Sequence, residues 1–70
     1  MPLILAPIGQ EVKIVKIAAD EKTKKHLSDL GVLPDAKITV ISSAGGSAVC
    51  MVKNGRLALD RTVAAHIFVA

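Results

Sequence analysis

The sequence predicts a mainly β domain with one inserted α-helix, built as a small five-stranded barrel whose helix lies between the first two strands. Three observations predict it. A charged helical pattern runs from Asp20 to Leu30 and stops at Gly31. β-type alternation then fills the stretch from Ala36 to Asp60 in three segments. Between the last two of these sits Asn54-Gly55, the strongest short-range sequence signal for a two-residue type I′ hairpin turn.

Taken in order, Ala6-Pro7-Ile8-Gly9 has turn chemistry, because Pro7 pre-sets φ and Gly9 accepts unusual angles. The segment Val12 to Ile17 is rich in β-branched residues, but its apolar positions change phase between Ile14 and Val15. A strongly bent or bulged strand with both faces partly covered accounts for that. Asp20 is the N-cap of the helix, and Thr23, Leu27 and Leu30 share its inner face, while Glu21 with Lys25 and Lys25 with Asp29 are spaced to pair on the outer one. Gly31 can take the left-handed conformation that closes a helix, and Pro34 prevents it from running on.

After Pro34 the chain reads as a meander over Ala36 to Ser43, Ala48 to Lys53 and Arg56 to Asp60, with Ala44-Gly45-Gly46-Ser47 as a flexible first loop. Ile38, Val40, Ala48, Cys50, Val52, Leu57 and Leu59 are the inward set of alternate residues. Asp60 caps one helical turn through Ala65, and His66 to Val69 alternates as a short last strand open to edge pairing. The result is an SH3-like barrel forming one domain over residues 1–70.

A chain of 70 residues offers too small a core to exceed chain entropy by more than roughly 3–5 kcal/mol. The hydrophobic fraction is 51%, yet Phe68 is the only aromatic residue, so the core is aliphatic and the surplus implies an apolar surface for a partner or for a second copy. Cys50 is alone, which excludes an intramolecular disulfide and fits a reducing compartment. With no basic leader and no run near ~20 apolar residues, the reading is a cytoplasmic protein without direct membrane insertion. The net charge of +3 is mild and aromatic stacking platforms are missing, which argues against nucleic acid as a partner.

The joint Leu30-Gly31-Val32-Leu33-Pro34 resembles the Leu-Gly-hydrophobic-x-Pro-Gly signature of the FeoA family. The likeness extends over nearly the whole chain, through Leu3 to Gly9, Val12 to Ile17, Leu57 to Leu59 and Ala64 to Val69. Asp35 stands where the signature has glycine, and Asp tolerates turn geometry well. The resemblance implies a non-enzymatic accessory and regulatory protein of bacterial ferrous iron uptake. It further implies action by protein–protein contact with the cytoplasmic GTPase region of a membrane ferrous iron transporter.

For such contact the candidate residues are Lys22, Lys24 and Lys25, which would steer the domain to an acidic surface, and Val32, Leu33 and Pro34, which would supply apolar contact at the helix end. As ordinary residues the lysines are a solvated helix face. An alternative reading is a weak divalent-metal-binding or sensing module, like the C-terminal SH3-like domain of DtxR-type repressors, resting on His26 and Asp29 three apart on the helix, with His66 and Cys50 elsewhere. Two ligands make a weak site, so no cofactor is assigned. A third reading is a homo-oligomerising structural module. Cys50 lies between Ala48 and Val52 on one strand face, as a buried structural thiol would, and no serine or glycine stretch has the context of a nucleophile or phosphate loop.

Overall fold

The computed structural model describes residues 1–53 and 55–70. In strand β1, Glu11–Ile17, the phase change read from the sequence appears as an irregular register: Ile14 opposes Val69, and the next pairs are Lys16 with Phe68 and Ile17 with Ile67. Val12, Ile14 and Ile17 are buried and Val15, at the bulge, is turned outward. The bulge therefore exposes the second face of the strand instead of covering it. It also divides β1 between two partners, since Glu11 to Lys13 pair with strand β2, Lys37–Ala44, and Ile14 to Ile17 with strand β5, Ile67–Val69.

Strands β3, Ser47–Val52, and β4, Gly55–Leu59, complete one antiparallel five-stranded sheet in the order β4-β3-β2-β1-β5. A second irregularity, between Val40 and Ser42, bends β2. Ala44 pairs with Ser47, so the first hairpin is a tight two-residue turn, not a loose loop; Gly45 and Gly46 have φ of +59° and +88°, the paired positive values of a type I′ turn. In the second hairpin Gly55 is already paired with Val52, so it opens the strand and does not sit inside the turn; the turn expected at Asn54-Gly55 otherwise lies outside the described residues.

Helix α1, Glu21–Asp29, is capped by Asp20, whose Oδ1 accepts the Thr23 N–H at 2.7 Å. Thr23, through its side chain first and this backbone N–H second, holds the Asp20 carboxyl below its ordinary range. Helix α2, Arg61–Ala64, repeats the device, with Asp60 Oδ1 accepting Val63 N–H at 2.8 Å. On the outer face of α1 the described ion pair is Glu21 with Lys24 at 3.9 Å, three residues apart, in place of the expected pairs through Lys25.

The core gathers Leu3, Ile14, Leu27, Val32, Ile38, Val40, Cys50, Leu59, Ile67 and Val69 with smaller neighbours. Leu57, expected among them, is half-buried, as are Thr23 and Leu30 on the helix. A short 3₁₀ turn at Leu3–Leu5, which nothing in the sequence marked, inserts Leu3 into this core. The backbone of Met1 exchanges hydrogen bonds with Val69 at 2.7 and 2.8 Å, and Pro2 bridges to Phe68, so the outer edge of β5 is covered.

The joint after α1 is a Schellman motif followed by a turn. Val32 N–H reaches Leu27 O at 2.8 Å and Gly31 N–H reaches Ser28 O at 3.0 Å, with Gly31 at φ +94°. Leu33 O then accepts Ala36 N–H at 3.1 Å around Pro34 and Asp35, and Asp35 has φ +73°, as the third position of a type II turn requires. Glycine is the residue that suits this position without strain, and Asp35 occupies it as an L-residue in the left-handed region. Replacing Asp35 by Gly is expected to leave the unfolding midpoint equal or higher, and replacing it by Val to cost about 1–2 kcal/mol, both read by urea denaturation; a Val variant as stable as the parent refutes the assignment.

Candidate interaction site

The same joint sets the shape of the surface beside α1. Leu27 and Val32 are brought together by the Schellman hydrogen bonds, and both are buried. Val32, expected at the contact surface, is therefore a core residue; its contact with Leu27 fixes the helix end, and it contributes only to the floor of the adjoining groove. The turn throws the next two residues outward. Leu33 keeps 39% of its surface exposed and Pro34 is exposed as well.

Between α1 and β1 lies an open groove of about 560 Å³ in which Lys24, Lys25, Leu33 and Pro34 meet Val15 and Lys16. Five of the six residues proposed from sequence thus line one feature, Val32 from its floor. Lys22 is exposed but lies outside the groove. Val15 was not anticipated; it is 47% exposed, and its out-of-phase position in β1 was the sequence signal that could have found it. Three lysines against the single carboxylate of Glu21 make the rim basic, and Glu21 is held toward Lys24. An apolar floor with a cationic rim suits an acidic, partly apolar protein surface.

Two further depressions flank this groove. Leu33 forms a ridge shared with a second one of about 630 Å³, where Met51 is exposed and Glu11 pairs with Lys37 at 3.7 Å. The third, about 480 Å³, separates α1 from α2 and holds Lys16, Thr23, Thr62 and His66. His66 is anchored by its Nδ1, which donates to Thr62 O at 2.6 Å. His26 and Asp29 are both exposed on α1, and among the described residues no three His, Cys, Asp or Glu side chains come together as a metal cage. No helix among the described residues is long and apolar enough to cross a membrane.

The FeoA domain family matches the chain over residues 1–70, its whole length. The chain belongs to the FeoA family. This FeoA domain superimposes on a crystal structure of an iron uptake regulatory protein, FeoA, with a TM-score of 0.87 at 24% identity, over 99% of this chain and 93% of that one. The FeoA protein from Chlorobium tepidum gives a TM-score of 0.86 at 25% identity, over 99% of this chain and 68% of that one. A manganese-dependent transcriptional repressor shares the fold, with a TM-score of 0.87 at 18% identity over all of this chain, which spans 40% of the repressor's length. A search of the curated proteins found no match. The architecture is accordingly the SH3-like one expected from sequence.

Cys50 is fully buried in β3, and burial pushes its thiol above the ordinary range. The unfolded chain therefore loses this proton first, and stability falls as pH rises through about 8.5, the ordinary thiol value. Urea denaturation of the parent and of Cys50→Val between neutral pH and pH 10 is expected to show the steeper loss in the parent. Parallel curves refute this reading.

Proposed function

We propose that this FeoA domain is a non-enzymatic accessory of ferrous iron uptake, working in the cytoplasm by docking on the GTPase region of a membrane ferrous iron transporter. The observation that carries the reading is the convergence, in a FeoA family member, of Leu33, Pro34 and Val15 on one open groove with Lys16, Lys24 and Lys25 around it. Such a surface has apolar area to hold a partner and positive charge to orient it. The fold neighbours include a structure described as an iron uptake regulatory protein, which supports a regulatory role over a catalytic one. Regulation here means that the domain changes its partner's state by binding one state better than another.

Titration of the labelled domain into the transporter's soluble cytoplasmic portion, with and without guanine nucleotide, and into the detergent-solubilised transporter tests the proposal. Saturable binding is expected, with Leu33→Asp weakening it roughly tenfold or more and Lys24→Glu with Lys25→Glu lowering the association rate. Lys22→Glu, outside the groove, is expected to have the smaller effect. Absence of saturable binding in every form rejects docking, and unaltered binding by the groove variants rejects the groove.

A further inference from the structure

Strand β4 is the free edge of the sheet. β5, at the opposite end of the strand order, has Met1 and Pro2 on its outer side, whereas among the described residues β4 has only β3 as a strand neighbour. Val52 pairs with Gly55 across the hairpin, and from that register Gly55, Leu57 and Leu59 exchange backbone bonds with β3. The N–H and C=O groups of Arg56 and Ala58 then point away from the sheet. Both residues are exposed, and the backbone bonds outside the strand ladders include none from either. A free, regular strand edge without proline or a bulge is a template for another strand.

We propose that β4 pairs with β4 of a second copy of this chain, antiparallel about a two-fold axis at Ala58. The side-chain pattern selects both the occupant and the register. Arg56, Ala58 and Asp60 occupy alternate positions on the outer face, while Leu57 and Leu59 face the core side. Centred on Ala58, the pairing sets Arg56 opposite Asp60 of the second copy, twice by symmetry, with the two small Ala58 side chains on the axis. On the other face it sets half-buried Leu57 opposite Leu59 of the second copy. A register centred on Arg56 would oppose two like charges, and one centred on Leu57 would leave Arg56 facing alanine.

The charges needed are present and available. Arg56 makes no ion pair among the described residues. Asp60 spends Oδ1 on the Val63 N–H at 2.8 Å, which leaves its second oxygen for a guanidinium. An edge-to-edge contact of one short strand is small, so the dimer is weak and dilutes away. This surface is distinct from the groove at Leu33, and a domain can use both at once.

Sedimentation velocity of the full chain from micromolar to millimolar concentration tests this, read together with backbone amide exchange. The expected result is a concentration-dependent dimer with slowed exchange at Arg56 and Ala58 as it forms. Arg56→Glu places an acid opposite each Asp60 and is expected to weaken the dimer by roughly tenfold or more, with the monomer's unfolding midpoint unchanged. Ala58→Pro removes an outward N–H and is expected to abolish it; should that variant not fold, Arg56→Glu decides alone. A monomer at every concentration, or a dimer indifferent to Arg56→Glu, overturns the proposal.

Discussion

Two hydrogen bonds, from Ile14 N–H to Ala36 O and from Asp35 N–H to Ile14 O, both 2.8 Å, hold the turn after the helix against the middle of β1. They fall where β1 leaves β2 and turns to β5. They tie the chain leaving the helix to the sheet by backbone bonds and fix the point at which β1 changes partner. The turn presents these groups because its central Pro34–Asp35 peptide is flipped as in a type II turn, and that flip requires a positive φ at Asp35. Glycine would adopt this angle freely, and aspartate is among the few L-residues that reach it at modest cost.

Everything next to the candidate groove follows from that attachment. The Schellman closure brings Val32 onto Leu27 and sends the chain outward at Leu33. The β1 bulge turns Val15 to the same side, and α1 supplies Lys24 and Lys25 from one turn of helix. The groove is thus assembled by three local irregularities, a helix end, a type II turn and a bulge, with no strand or helix shaped for it. A small aliphatic core with one tight joint can support such a surface, since the exposed residues are not those that hold the fold together.

Much of the architecture was legible in the residues. Asp20 and Asp60 announced both helices, Gly31 and Pro34 the end of the first, and the broken alternation at Ile14-Val15 the bulge. These are local effects, set by caps, turns and side-chain period. The burial of Val32 was legible too, because a hydrophobic residue just past a helix-closing glycine packs back on the last turn. Reading Val32 with Leu33 and Pro34 as one exposed unit missed that the backbone reverses direction between them.

The sequence by itself determined the element order from β1 onward, the N-caps of both helices, the inward residues of β2 and β3 and the family signature, since each depends on residues within a few positions of one another. Tertiary structure alone decided that Leu3 enters the core through a 3₁₀ turn and that Met1 and Pro2 cover β5, because these contacts join positions more than sixty residues apart. It alone decided which lysines border the groove, since Lys22 and Lys24 differ only in the direction the helix gives them. It also left β4 as the free edge, a property of strand order, which long-range pairing sets and no local pattern encodes.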